Sequence, residues 1–83
     1  MSNKAPGILG RRVIELRKEA GLSRDALSSI SGVSRATLQL VEYDSAYEPR
    51  VGVLEALADC FDVSIDYLVG RHDQKRHYFN INW

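Results

Sequence analysis

The feature that most constrains the fold of this chain is a series of short segments with helical apolar spacing, separated by serine and glycine residues. In the first segment the apolar residues recur every three or four positions, which places them on one face of a helix: Leu9, Val13, Leu16 and Ala20. Gly21 supplies the left-handed residue that ends such a helix. Ser23 and Ser34 are good N-caps, so they predict the starts of a second and a third helix.

The predicted second helix covers about residues 24 to 31, with an apolar stripe of Ala26, Leu27 and Ile30. The third helix, over about residues 34 to 43, directs Leu38 and Val41 inward. Its residues that point directly away from this core side form a mixed set: Ala36, Gln39, Leu40 and Tyr43. The function of the chain therefore depends on what this outward set contacts.

Two more helices are predicted after the loop "YDSAYEPR". Apolar residues at helical spacing define the fourth: Val51, Leu54, Leu57, Ala58 and Phe61. Ser64 caps a short fifth helix with Ile65 and Leu68 inward, and Gly70 ends it. The prediction is an all-α domain of five helices, with one short alternating stretch, "HYFNINW", as a possible terminal β-arm.

A length of 83 residues with 45% hydrophobic and 27% charged content indicates one small domain. A chain this short buries only about 60% of its unfolded surface, so a partner chain would stabilise it. The single cysteine cannot form an internal disulfide, and no apolar run approaches the roughly 18 residues that span a bilayer. Because the N-terminus also lacks the layout of a signal peptide, we expect a cytoplasmic protein.

Charge is unevenly distributed, although the net charge is zero. Residues 1–41 contain seven cationic side chains against three carboxylates, whereas residues 42–70 contain one against seven. A molecule polarised in this way suits binding to a polyanion through one face. An ordinary solvated surface is the alternative, and charge counting does not distinguish the two.

The second and third helices are joined by a glycine-containing turn of about three residues, which is the layout of a helix-turn-helix. The stretches "LGRRVIELRKEAGLSRDALSSISGVSRATLQLVE" and "PRVGVLEALADCFDVSIDYLVGR" follow in order. Together they resemble the lambda-repressor/Cro-like, Xre-type family of five-helix DNA-binding domains. The resemblance covers roughly residues 8–71, with 1–7 as an N-terminal arm and 72–83 as a tail. It implies that the third helix is the recognition helix.

By this resemblance, Arg17 in the first helix pairs with Glu42 in the third. Helical geometry agrees, because about 100° per residue places Glu42 beside the core side and not opposite it, and a partly buried carboxylate needs a partner. The resemblance assigns DNA contacts to the positions of Arg24, Ser34, Arg35, Ala36, Gln39 and Leu40. Tyr43 is added as a candidate because it belongs to the outward set of the third helix.

Individual roles follow from side-chain chemistry. Arg24 can donate to a phosphate, Arg35 to guanine, and Gln39 to adenine, whereas Ala36 or Leu40 can contact a thymine methyl group. The chain departs from the family pattern with a leucine at position 40, and with Tyr47 and Glu48 where cations are common, so fewer phosphate contacts are expected.

The tail concentrates four large apolar side chains: Tyr78, Phe79, Ile81 and Trp83. Burial against the domain or against a second protomer explains such a cluster, and we expect it to contribute to a dimer. Phe79, Ile81 and Trp83 alternate, which places them on one face of an extended strand.

Catalytic and metal chemistry are not indicated. Cys60, His72 and His77 lack the spacing of zinc ligands, and there is no glycine-rich phosphate loop. We therefore expect no cofactor, no metal and no enzymatic activity. The leading hypothesis is a homodimeric, sequence-specific DNA-binding repressor of phage or mobile-element type on a palindromic operator. The alternative is a helix-turn-helix module that binds protein, such as an antitoxin or an antagonist of another regulator.

Overall fold

The computed structural model describes residues 7–71, 73 and 75, and the regular elements of that part of the chain are five α-helices. In chain order these are α1 (Ile8–Glu19), α2 (Arg24–Ser31), α3 (Arg35–Tyr43), α4 (Val51–Phe61) and α5 (Ile65–Leu68). The all-α prediction is confirmed, and each helix lies within a few residues of its predicted position. The predicted β-arm at 77–83 and most of the predicted N-terminal arm lie outside the described residues.

Serine side chains start three of the helices, as predicted. The hydroxyls of Ser23, Ser34 and Ser64 each accept a hydrogen bond from the backbone N–H three residues later, at 3.0, 3.1 and 2.9 Å. Each bond satisfies one of the backbone N–H groups that a helix start leaves without a partner. The starts of α2, α3 and α5 are therefore local properties of the sequence.

Residues in the left-handed conformation lie at the ends of four helices, and Gly21 after α1 and Gly70 after α5 are the two glycines predicted there. Gly32 ends α2 with φ of 80°, a conformation that glycine adopts without a steric penalty, and this allows the chain to turn at once into α3. Asp62 ends α4 with φ of 56°, although it is not a glycine. Aspartate tolerates this conformation better than most residues do, but no capping pattern in the sequence predicted a helix end at this position.

One core unites the five helices, and its buried apolar members are Val13, Leu16, Leu27, Val33, Leu38, Val41, Leu57, Ala58, Val63, Tyr67 and Leu68. The predicted inward position of Ile30 was wrong, because this side chain is 62% exposed. Leu27 is the buried residue of α2, and Ile30 is rotated about 60° from it. A helix this short has only the face of Leu27 covered, where α3 and α4 pack against it.

The position of α3 is set by α1 and α2, which both pack against it. Gly10 in α1 lies against the backbone of α3, so that a Cβ atom at this position would be only 2.4 Å from the Glu42 carbonyl oxygen. The two helices therefore approach closely at the C-terminal end of α3. Among the described residues, no helix is both long enough and apolar enough to cross a membrane.

Candidate nucleic-acid interface

The two sides of α3 have different environments. Leu38 and Val41 are buried in the core, with 0% and 3% of their surface exposed. The opposite side is exposed, and we call it the outer face of α3; it consists of Arg35, Ala36, Gln39 and Leu40. These four residues are predicted DNA-contacting residues, and the structure brings them together on one solvent-facing surface.

Glu42, in the last turn of α3, is fully buried and bound by two arginines. Arg17 in α1 donates from Nε to Oε2 at 2.8 Å and from Nη2 to Oε1 at 3.1 Å. Arg24 at the start of α2 donates from Nε to Oε1 at 3.0 Å. We call Arg17, Arg24 and Glu42 the Glu42 cluster. It joins the first three helices through one carboxylate.

The predicted partners Arg17 and Glu42 are therefore in contact, but the second partner was not foreseen. Arg24 was predicted as a phosphate donor, and nothing in its spacing from Glu42 identified it as a ligand of that carboxylate. The available signal was chemical, since a fully buried carboxylate usually binds more than one donor. The hydrogen bond to Glu42 raises the pKa of Arg24, so its guanidinium stays charged.

The Glu42 cluster contains two positive charges and one negative charge, so it carries a net positive charge. The side chain of Arg17 is only 11% exposed, whereas that of Arg24 is 34% exposed. The accessible part of the surplus charge is therefore on Arg24. An arginine fixed in this way can donate its remaining N–H groups to an anion at little cost in side-chain entropy.

Tyr43 differs from the four residues of the outer face of α3, because it stands at the predicted outward spacing but lies beside Arg24 of α2. The Arg24 guanidinium carbon is 5.2 Å from the centre of the Tyr43 ring, and Nη2 donates to the Tyr43 hydroxyl at 3.3 Å. This contact covers part of the ring, so Tyr43 is half-buried. Helical geometry alone could not predict the difference, because it depends on how α2 crosses α3.

At the start of α3, Arg35 contacts Asp25 of α2 at 3.3 Å, and their side chains are 70% and 69% exposed. The sequence pattern did not predict this pair. The hydroxyl of Ser34 has a structural role, since it accepts from the Thr37 N–H and donates to the Thr37 hydroxyl at 2.9 Å. Ser34 itself remains exposed beside Arg35.

Arg50 is a further exposed cation near this surface, and sequence reasoning did not include it among the candidate residues. It precedes α4 and lines an open cleft of about 530 Å³ together with the turn between α2 and α3 and with Thr37. Tyr47, one of the departures from the family pattern, packs against the core and does not face this surface. Glu48 is exposed.

The described residues contain no group of three or more histidine, cysteine, aspartate or glutamate side chains that could hold a metal ion. Cys60 lies half-buried in α4, and burial raises the pKa of its thiol. His72 and His77 lie outside the described residues.

Comparison with known proteins gives a consistent result. A family model described as helix-turn-helix matches residues 13–68. The HTH-type transcriptional regulator AnsR of Bacillus subtilis (strain 168) is 36% identical over 66 residues, which cover 78% of this chain and 55% of that protein. The regulator SinR of Bacillus licheniformis is 29% identical over 70 residues, covering 84% of this chain and 63% of that protein. This chain thus spans about three fifths of the length of these relatives.

Solved structures show the same similarity. The N-terminal DNA-binding domain of SinR from Bacillus subtilis superposes with a TM-score of 0.70 at 31% identity, covering 75% of this chain and 90% of that one. SinR in complex with DNA superposes with a TM-score of 0.68 at 31% identity, covering 74% of this chain and 97% of that one. The five helices, the exposed outer face of α3 and these matches agree, and the chain belongs to the lambda-repressor-like, Xre-type helix-turn-helix family.

Proposed function

We propose that this chain is a sequence-specific DNA-binding transcriptional regulator that inserts α3 into the major groove. The observation that carries the proposal is the outer face of α3, which is exposed while the opposite side is held by the core and by the Glu42 cluster. A helix fixed in this way can present base-contacting side chains in one defined orientation. The similarity to SinR, which has been solved in complex with DNA, supports a DNA-binding function.

The outer face of α3 offers three kinds of base contact. Arg35 can donate two hydrogen bonds to O6 and N7 of guanine, and Gln39 can bind N6 and N7 of adenine. Ala36 and Leu40 are apolar and suit the methyl group of thymine. Arg35 must leave Asp25 to reach a base, and this is a small cost because an exposed ion pair contributes only about 0 to 1 kcal/mol.

Phosphate contacts would come from the cations around this face. Arg24 is anchored through Nε and Nη2, and Nη1 has no protein hydrogen-bond partner among the described residues, so it is available to a phosphate oxygen. Arg50 flanks the other end of the recognition surface. Ser34 and Tyr43 border the outer face of α3, where their hydroxyls can contact the backbone of the duplex.

We further propose that the regulator acts as a homodimer on a palindromic operator, of the kind used by repressors of phages and mobile elements. Two protomers would present their α3 helices to half-sites about 34 Å apart, one turn of the duplex. The dimer contact predicted for Tyr78, Phe79, Ile81 and Trp83 falls outside the described residues and stays a prediction.

The test is selection of bound sequences from a random duplex pool with the full chain, followed by titration of the selected duplex. We expect an enriched palindrome. Arg35→Ala should weaken binding to it by about 1 to 3 kcal/mol and relax the preference at one base position. Arg71→Ala is the matched control, because it removes one positive charge beyond α5, away from α3. Equal losses in both variants would contradict base contact by Arg35.

One observation favours a second candidate function, binding of a protein by the same helix. Leu40 is 39% exposed at the centre of the outer face of α3, where a leucine offers no hydrogen bond to DNA. A solved complex of SinR with SinI is also similar, with a TM-score of 0.70 at 28% identity. Leu40→Lys separates the candidates, since it should strengthen DNA binding through added phosphate contact but weaken an apolar protein contact. A random pool that yields no enriched duplex would favour the protein-binding function.

A further inference from the structure

A broad cleft lies between the turn that joins α2 to α3 and the beginning of α4. Its volume of about 530 Å³ is within the range of about 300 to 1,000 Å³ that is usual for ligand-binding clefts. We call it the turn–α4 cleft, and its apolar walls are formed by Val33, Val51, Val53 and Ala56. Gly52 also lines it, and a Cβ atom at this position would meet nothing within 4 Å. The cleft is therefore open to a side chain from outside.

The apolar surface of the cleft reaches into solvent. Val51 is 64% exposed, and Ile30, which directly precedes the cleft residue Ser31, is 62% exposed. These are the highest values among the large hydrophobic side chains that the structure describes. Exposed apolar surface beside a cleft is typical of an interaction site. A partner that covers Val51 with an apolar side chain gains the free energy of removing both from water.

The charge of the cleft comes from one side chain. Among the described residues that line it, Arg50 alone is charged, and its guanidinium makes no hydrogen bond or ion pair with another of them. The hydroxyl groups of the lining already take part in hydrogen bonds, because Ser31 accepts from the Val33 N–H at 3.1 Å and Ser34 donates to the Thr37 hydroxyl at 2.9 Å. A guanidinium without a protein partner suits a carboxylate, which it can bind through two parallel hydrogen bonds.

We infer that the turn–α4 cleft is a docking site for another protein, which presents a large apolar side chain close to a carboxylate. The apolar side chain packs against Val51 and Val53, and the carboxylate binds Arg50. Charge complementarity selects the second feature, because the lining contains a cation and no carboxylate that would repel the partner. This surface differs from the outer face of α3, since Leu40 does not line the cleft.

Two other occupants fit the cleft less well. A DNA phosphate can pair with Arg50, but it offers nothing to the apolar side chain of Val51 beside it. A second copy of the chain lacks a matching segment in its described part. There, no exposed large hydrophobic side chain has an exposed carboxylate within two positions of it; these side chains are Ile8, Ile30, Leu40 and Val51.

A consequence for regulation rests on the proposed function. Arg50 and Ser34 line the cleft and are also proposed to contact the DNA backbone, so a docked partner and DNA would exclude each other. Docking itself does not require DNA binding. It is therefore measured first without DNA, so that a failure of docking and a failure of the proposed function are distinguished.

The probe is a phage-displayed library of random peptides, selected against the full chain in the absence of DNA. We expect the enriched peptides to share a large apolar residue within two positions of an aspartate or glutamate. One enriched peptide is then synthesised with a fluorescent label, and its Kd is measured by fluorescence anisotropy. A selection that enriches no peptide, or peptides that share no carboxylate, would overturn the inference.

Two surface variants test where this peptide binds, with folding checked by circular dichroism. Arg50→Ala and Val51→Ser should each weaken its binding several-fold. The controls are Arg71→Ala, which removes a cation beyond α5, and Leu40→Ser, which removes an exposed apolar side chain outside the cleft. Both controls should bind the peptide as the unchanged chain does. If Leu40→Ser weakens binding and Val51→Ser does not, the peptide lies on the outer face of α3 and the inference is wrong.

A change in the peptide tests the ion pair itself. Replacing its carboxylate by the corresponding amide should weaken binding to the unchanged chain several-fold but leave binding to Arg50→Ala unaltered, because the pair is already lost there. Equal effects on both proteins would show that the carboxylate does not bind Arg50. If no peptide is enriched and Arg50→Ala weakens binding to random duplexes, Arg50 serves DNA alone. With the selected duplex, the peptide should release the chain from DNA, and simultaneous binding of both would overturn the exclusion.

Discussion

On its inner side α3 contributes Glu42 to the Glu42 cluster, and this carboxylate is fully buried. On its outer side α3 contributes Arg35, which contacts Asp25 of α2, and these two side chains are 70% and 69% exposed. Both are contacts between arginine and a carboxylate, but water surrounds only the second. A buried charge that loses its partner is costly, whereas an exposed one is solvated again. The inner contact therefore fixes the helix, whereas the outer contact is weak enough to be exchanged for the proposed contact with DNA.

The largest effect is expected when the buried carboxylate of Glu42 is removed. Glu42→Ala leaves Arg17 and Arg24 together without a counter-charge, and we expect a loss of about 3 to 5 kcal/mol in the free energy of unfolding. Denaturant titration measures this loss. In a double-mutant cycle with Arg17→Ala, the combined loss should be smaller than the sum of the single losses. Strict additivity would show that the two residues do not stabilise each other.

The second test concerns the close approach of α1 to the same end of α3. Gly10→Ala places a methyl group 2.4 Å from the Glu42 carbonyl oxygen, so one helix must move, and we expect destabilisation by about 1 to 3 kcal/mol. Gly52→Ala is the matched control. A Cβ atom at position 52 meets nothing within 4 Å, and this change should stabilise the protein by about 0.4 to 1 kcal/mol. If both variants behave alike, the contact does not constrain α3.

Arg24 combines features of the buried and the exposed contacts, because it binds the buried Glu42 and its own side chain also reaches the surface. Since its side chain is about a third exposed, we expect Arg24→Ala to lower stability by only about 1 kcal/mol. The affinity of this variant for DNA should fall by the same factor on all sequences. The slope of log affinity against log salt concentration should decrease in magnitude by about 1. Titration of selected and random duplexes at several salt concentrations measures both effects. A loss restricted to one base position would instead assign Arg24 to base contact.

The smallest effect is expected at Asp25. Asp25→Asn removes the exposed partner of Arg35 and one acidic residue from the first turn of α2, so stability should change by less than about 1 kcal/mol. DNA affinity should increase slightly, because Arg35 is released and a negative charge near the duplex is removed. Weaker DNA binding in this variant would show that Asp25 positions Arg35 and does not compete for it.

Local chemistry explains why most of the fold was predictable. The caps at Ser23, Ser34 and Ser64 and the turn at Gly32 depend on residues within three or four positions of each other. Helical periodicity likewise predicted which side of α3 faces the core. The outer face of α3 follows from the same argument, and its residues occupy the predicted surface.

Predictions failed where one helix meets another. Ile30 was assigned to the core, but the packing of α2 leaves it exposed. Tyr43 stands at the outward spacing, but Arg24 covers part of its ring, so it is half-buried and not fully exposed as predicted. Periodicity describes a helix in isolation, whereas the exposure of a flanking residue depends on the crossing of its neighbours.

The sequence by itself determined the number and order of the helices, their approximate limits and the residues of the outer face of α3. The reason is that short-range hydrogen bonding and a 3.6-residue period are encoded in adjacent positions. Only the tertiary structure decided the partners of the charged groups. Arg24 joins Glu42 across 18 positions of the chain, and Asp73 joins Arg12 across 61. Such contacts depend on where packing places each backbone, and many arrangements of charges are compatible with one pattern of apolar residues.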